Sequence, residues 1–483
     1  MILTNARILT FDGANQVIDS GDVEILPDGT IGRVGPPSQD HVAQALVPAA
    51  PRLISALGGA DANSPSERLS QPTQDTDQEP CPTADAQTRR DESRRGRHEC
   101  PRHDAGGRLL MPALINCHTH LYSTLARGIS LPGPAPRNFE EILKKLWWRL
   151  DRALTSDDIY YSALVGLIDS AKCGVGTLID HHSSPNACAE SLDRIAQAFQ
   201  EVGLRGALCY ETSDRNGPAK AQEAIRENLR FIESARDDRL GAAFGLHAAF
   251  TLTDRTICQC VEANQTLQAG FHIHVAEDLC DVGAVRRLLN LGVLDAKTLA
   301  AHAIHVKAAD RTILTDRRVN VIHNPQSNCN NAVGTVNLKA MFRNLITVGL
   351  GSDGYSPRMW DEFKTAFHLQ KVRFGDPRVG YGEAYAAAFL NNPTIVKKVF
   401  GMDIGRIEPG AKADLILVDY FPPTPIHDGN LFSHLLFGIA NAPVDSLMVN
   451  GRWVMQDKHL VNVDERTVAE KAAAQARALW GML

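Results

Sequence analysis

Eight short apolar runs punctuate the stretch from residue 109 to residue 351, and their spacing limits the folds open to this chain more than any other feature. They fall at 109–116, 176–180, 204–210, 240–246, 270–275, 298–303, 319–322 and 345–351. Most are separated by enough residues to hold a helix. Strand–helix alternation repeated eight times predicts an α/β fold of the (β/α)8 TIM-barrel type. An open doubly wound sheet is the alternative, but no Gly-x-Gly-x-x-Gly follows an early run. Ionisable residues gather just after the runs, on the face where barrels of this kind place their chemistry.

The flanks read differently. Residues 1–36 alternate apolar and polar positions around turn signals at Asp12-Gly13 and Asp28-Gly29, and residues 407–457 repeat that texture. The two segments are expected to complete one small β-sandwich domain built from both chain ends, with the barrel inserted between them. An Ala-rich stretch from Glu465 to Leu483 predicts a closing helix. Between Phe11 and Tyr122 no Phe, Trp or Tyr occurs, and 59–107 is crowded with Asp, Ser, Gln, Pro, Thr and Arg. Such a segment buries too little apolar area to offset its ordering entropy, so a disordered or loosely packed insertion is expected. The partition is therefore 1–44 and 401–460 for the β-domain, 45–107 for the insertion, 108–400 for the barrel and 461–483 for the helix. Cys81, His98, Cys100 and His103 match no standard zinc spacing.

Composition removes several classes of function. Of 483 residues, 44% are hydrophobic and 22% charged, an ordinary globular mix. A net charge of -6 supplies no basic field to hold nucleic acid. No apolar run reaches the ~18 residues that span a bilayer. The first residues show no leader pattern, and the ten cysteines are sparse, with no Cys-x-x-Cys, so a cytoplasmic protein with reduced thiols is expected.

The chemistry sits at the ends of the runs. The first ends in His118-Thr119-His120, and residues i and i+2 of a strand point the same way, so both imidazoles can face one cation. Alone the pair is weak evidence, because paired histidines also serve as surface or hydrogen-bonded residues. The fifth run ends His272-Ile273-His274 with Glu277 just beyond. The sixth carries His302, with His305 after it; the seventh ends at His323 and Asn324; the eighth ends Gly351-Ser352-Asp353. The steps from His274 to His302, His323 and Asp353 are 28, 21 and 30 residues, about one strand–helix unit each. Consecutive strand ends of a barrel surround one axis, so these groups converge. Buried charged groups are costly unless paired or metal-bound, which points to a metal site.

Here the residues resemble a known family. His118-x-His120, His274-x-x-Glu277, His302 and Asp353 between Ser and Gly are similar to the amidohydrolase superfamily. The Ala-Glu after the third histidine and His323-Asn324-Pro325-x-Ser327-Asn328 resemble its deaminase and chlorohydrolase branch. More narrowly, 146–154, 180–185, 210–217 and Ser327-Asn328-x-Asn330-Asn331 resemble the SsnA-type aminohydrolases. The insertion departs from that pattern. Two-metal relatives carry a bridging lysine on strand four, which 241–250 lacks, so the resemblance implies one divalent metal held by His118, His120, His274 and Asp353. Three imidazoles and a carboxylate suit zinc; the same ligand types also accept iron.

The implied reaction is hydrolytic deamination of a small N-heterocycle, such as a purine or pyrimidine, through water made acidic by the metal. Glu277 would shuttle the proton, Asp353 would help activate the water, and His302 would stabilise the tetrahedral intermediate. His181, Glu211, His247, His305 and Asn328 are candidate substrate contacts, with His182, Asp214, Arg215, Arg127, Asn330 and Asn331 behind them; Trp147 and Trp148 fit helix packing better than a pocket wall. The partner is a small molecule rather than nucleic acid or membrane, and similar proteins often form homodimers. Cyclic-amide hydrolysis, heterocycle dechlorination and a non-enzymatic metal-holding assembly protein remain the alternatives. The last is disfavoured because neither Glu277 nor His302 is needed merely to hold a metal.

Overall fold

The computed structural model describes residues 1–36, 101–130, 132–234 and 238–483. Most of the expected insertion, including Cys81, His98 and Cys100, lies outside the described residues. The N-terminal strands are β1 (Ile2–Leu9), β2 (Val17–Ile25), β3 (Ile31–Gly35), β4 (Arg102–Asp104) and β5 (Leu109–Pro112). β4 runs parallel to β1, pairing Ile2 with Arg102 and Thr4 with Asp104. Regular structure therefore resumes before residue 107, where the insertion was expected to end. Backbone pairing with β1 supplies order that the side chains of this polar segment could not.

The barrel strands follow: β6 (Leu114–Thr119), β7 (Val175–His182), β8 (Arg205–Tyr210), β9 (Leu240–Ala242), β10 (Phe244–Ala248), β11 (Phe271–Val275), β12 (Leu299–His302), β13 (Asn320–His323) and β14 (Thr347–Leu350). They form two parallel ladders, β6-β7-β8-β9 and β10-β11-β12-β13-β14. The fourth apolar run is thus split. Ala243 N donates to Leu208 O at 3.0 Å, whereas Phe244 N turns to Gly270 O at 2.9 Å, so the chain changes partner at one residue. Asn228 bridges that seam by accepting from Tyr210 N at 2.9 Å and Gly245 N at 3.1 Å. At the other seam Ser352 N and Asp353 N both donate to His118 O at 2.9 Å, and Thr119 bridges Asp353. Gly351 permits this approach: a Cβ there would meet His118 Cβ at 2.8 Å and Asn324 Oδ1 at 2.6 Å. These contacts join the last strand to the first.

The first apolar run is also two strands. Leu109–Pro112 belongs to the outer sheet and Leu114–Thr119 to the barrel. The switch falls after Ala113, whose N–H still donates to Asp414 O, whereas Leu114 N donates to Gly174 O, both at 2.9 Å. β5 lies between β1 and β15 (Leu415–Val418), and β16 (Val444–Val449), β17 (Arg452–Gln456) and β18 (His459–Leu460) extend the sheet to nine strands. Ile31 N donates to Ala411 O and Gly410 N to Ile31 O, both at 2.8 Å, so the sheet curls back over its own core of Leu3, Ile8, Val23, Ile31, Leu110, Leu415 and Met448. Arg205 ties this layer to the barrel with a bidentate pair to Asp414, at 2.7 and 3.1 Å. Helix Glu465–Trp480, capped by Asp464, closes the chain, and Trp480 Nε1 donates to Leu125 O at 2.8 Å.

Candidate metal centre and its cleft

The strand ends bring together the four residues expected as ligands. His120 Nε2 lies 3.0 Å and His118 Nε2 3.5 Å from Asp353 Oδ1, and His120 Nε2 lies 3.2 Å from His274 Nε2. His118, His274, His302 and Asp353 each offer an atom within 4.8 Å of the others. The backbone pays for this convergence: His302 and Asp353 both take left-handed φ, 72° and 58°, as do Ala276 at 48° and Ala303 at 50°.

Each imidazole is oriented from behind. His120 Nδ1 donates to His181 O at 2.6 Å and His274 Nδ1 to His247 O at 2.7 Å. Carbonyl oxygens only accept, so both Nε2 atoms must turn lone pairs or a single added proton toward the centre. His118 Nδ1 meets His272 Nε2 at 2.8 Å, while His118 Nε2 is buried with no hydrogen-bond partner. An orphaned ring nitrogen beside a carboxylate and two inward-facing imidazoles fits a divalent cation, and the N3O donor set suits zinc. Burial pushes His118 down to about 3 and His274 well below the ordinary imidazole value, which keeps both neutral and able to ligate. Burial acts the same way on His120, but the Asp353 carboxylate beside it pulls the imidazole up to about 9. Asp353 is opposed by burial yet held well below the carboxylate range by its contacts with His118 and His120.

Around this cluster stand the groups expected to do proton work. His302 Nε2 is 3.5 Å from Glu277 Oε2 and 3.7 Å from Asp353 Oδ2. Burial, reinforced by the charge of Asp353, drives Glu277 well above the usual carboxylate value. Ser327 Oγ donates to Asp353 Oδ2 at 2.5 Å. The cluster opens into a cleft walled by Tyr122, Phe139, Trp147, Trp148 and Phe250, with Glu211, Arg215, His247, Asn330 and Asn331 as polar lining.

The expected substrate contacts divide. Glu211 and His247 line the cleft, whereas His181 is fully buried behind it. His305 is not among the cleft residues; its Nε2 meets Val333 O at 2.8 Å and braces the loop after strand seven. Asn328 also lies behind the wall, where its Oδ1 accepts from His302 Nδ1 at 2.8 Å, so it orients His302. His182 turns away to Ser184, Asp214 caps a helix at Thr253, and Arg127 pairs with Asp169 at the surface. Both tryptophans wall the cleft, against the expectation of plain packing, because the helical segment over 139–153 lies across the barrel mouth. Three further contributors carried sequence signals with no role assigned: Ser327 and Asp151 stood inside the quoted motifs, and His272 inside a second His-x-His.

The amidohydrolase family model matches residues 109–454. The chain belongs to the amidohydrolase family. As a member it is a hydrolase acting on carbon–nitrogen bonds other than peptide bonds. A 5-methylthioadenosine/S-adenosylhomocysteine deaminase of Desulforudis audaxviator is 33% identical over 395 residues, covering 78% of this chain and 88% of that one. A 5'-deoxyadenosine deaminase of Methanothermobacter thermautotrophicus is 31% identical over 395 residues, covering 78% and 89%. Among solved structures, a zinc-bound adenosine deaminase of Xanthomonas campestris matches with a TM-score of 0.76 at 20% identity, covering 100% of this chain and 98% of that one. The atrazine chlorohydrolase of Arthrobacter aurescens, complexed with zinc, matches at 0.72 and 18%, covering 99% of each chain. These two likenesses establish the amidohydrolase barrel fold. No helix among the described residues is long and apolar enough to cross a membrane.

Proposed function

We propose that the chain is a cytoplasmic, metal-dependent aminohydrolase that converts an amino-bearing carbon of a small N-heterocycle to a carbonyl, consuming one water and releasing one ammonia. The kinship with deaminases of adenosine derivatives supports this reading. The observation that carries it is the meeting of Glu277 and His302 beside Asp353, since a mere metal holder needs neither.

His118, His120, His274 and Asp353 would hold one divalent cation, zinc by donor type, which would supply an acidic water. Asp353 Oδ2, fixed by Ser327, accepts a proton from the attacking water. Glu277, kept protonated by its buried setting, protonates the ring nitrogen next to the carbon under attack. His302, whose Nδ1–H is held by Asn328, turns its Nε2 lone pair toward the centre and orients the attacking water by accepting its O–H. The departing amino group takes the proton held by Asp353 and leaves as ammonia, while the hydroxyl of the intermediate returns its proton to Glu277 as the carbonyl forms.

Glu277→Gln tests the assignment. Metal content is expected to stay unchanged while ammonia release falls by about 10²–10⁴-fold. Wild-type turnover in the metal-loaded variant would remove Glu277 from the chemistry. Cyclic-amide hydrolysis with two metals finds no lysine in β10, whose inward terminal residue is His247.

A further inference from the structure

Glu211 and His247 form a second polar group in the same cleft, with Arg215 beside them and His181 behind. Glu211 Oε1 accepts from Arg215 Nη2 at 2.9 Å, and Arg215 is pinned by Asp151 at 2.6 Å and by the Trp148 ring at 5.4 Å. Glu211 Oε2 faces His181 Nδ1 at 3.5 Å, and Oε1 faces His247 Nε2 at 3.6 Å. The hydrogen-bond partners place a proton on each ring. His181 Nε2 sits 3.2 Å from Leu246 O and 3.1 Å from His272 O, so a proton is there. Thr251 donates its hydroxyl to Ala248 O at 3.1 Å and so accepts from His247 Nδ1 at 2.7 Å, which leaves the lone pair on His247 Nε2. Glu211 and His247 thus offer acceptors to the cleft, with Arg215 donating to Glu211 Oε1.

Such a wall rejects an acceptor and welcomes N–H groups, because a buried polar atom left unmatched forfeits its whole desolvation cost. Its position says which part of the ligand it meets. Glu211, His247 and the ligand His274 offer atoms that all lie within 4.8 Å of one another, so the wall reaches the edge of the reacting ring rather than a distant substituent.

We infer that the site selects aminoheterocycles carrying ring N–H donors beside the carbon that loses ammonia, that is, cyclic guanidines and amidines in their N–H form. Glu211 and His247 are the residues that set this choice. The inference rests on the deaminase reading and narrows it. In a 9-substituted adenine the ring nitrogen beside the amino-bearing carbon is bare, which makes this the disfavoured class.

The test compares guanine and isocytosine, which carry such an N–H, with adenosine and 5'-methylthioadenosine, on the zinc-loaded full chain and its Glu211→Gln and His247→Asn variants. The expected wild-type result is kcat/KM at least about tenfold higher for the N–H class. Either variant should cut that ratio by about tenfold or more at unchanged zinc content, Glu211→Gln by giving the wall a donor of its own. Preference for the adenosine class in the wild type, or an equal loss on both classes in both variants, overturns the inference. If no compound yields ammonia, the deaminase reading fails separately. Tryptophan-fluorescence titration of the same compounds then decides: tighter binding of the N–H class that is lost in Glu211→Gln upholds the inference, and equal or absent binding overturns it.

Discussion

His120 and His274 point their Nε2 atoms at each other across 3.2 Å while main-chain carbonyls occupy both Nδ1 atoms. Nitrogens facing each other at that distance need a proton or a cation between them, and with the carboxylate of Asp353 3.0 Å from His120 Nε2 the donor set suits a divalent cation. The purified chain is therefore expected to carry about one zinc or iron atom per copy by elemental analysis. His274→Ala, which removes one of these inward nitrogens, should drop the content below about a tenth of that. Full metal occupancy in that variant would dismantle the centre described above.

Arg205 and Asp414 are 1% and 3% exposed and join the barrel to the outer sheet through two hydrogen bonds. Asp414 Oδ1 also accepts from Asn450 N at 2.7 Å, so this carboxylate organises three segments. Arg205→Leu strands its charge in the interior. Urea unfolding should show a loss of about 3–5 kcal/mol, the usual cost of breaking a buried pair from one side. A loss under about 1 kcal/mol would mean water replaces the guanidinium.

Asp281 accepts from Ala276 N at 2.8 Å and Phe250 N at 3.1 Å, yet burial pushes its carboxyl from 3.8 up to about 6. The native state thus holds this proton more tightly than the unfolded chain does. Its contribution to stability is fully present below about pH 3.8 and declines as pH rises to about 6. Asp281→Asn cannot ionise and should flatten that limb. The check is the difference in Tm between the two proteins across pH 4 to 7. A constant offset would show that burial leaves this carboxyl unshifted.

The convergence of the four residues expected as ligands was legible because strand ends in a barrel converge by construction, and ionisable side chains at regular spacing mark them. It failed at two apolar runs, 109–116 and 240–246, for a common reason. Composition reports that a stretch is strand-like but not which neighbour it pairs with, and each run changes partner within one residue, after Ala113 and after Ala243. His305 and Asn328 could not be distinguished from cleft residues because loop curvature after a strand sets which side chains face the opening. The tryptophans were misplaced for the reverse reason: a helix over the barrel mouth has an apolar underside that can contact a ligand as readily as a core.

β5 is filled from both sides, by β1 from the start of the chain and by β15 from some 300 residues later. During synthesis one edge of β5 therefore waits, unpaired, until almost the whole polypeptide has left the ribosome. A product stopped before residue 415 would expose a bare, apolar ladder edge, the kind that recruits strands from other molecules. Complete translation is thus a condition for solubility as well as for activity, and truncations from the C-terminal side should collect in inclusion bodies.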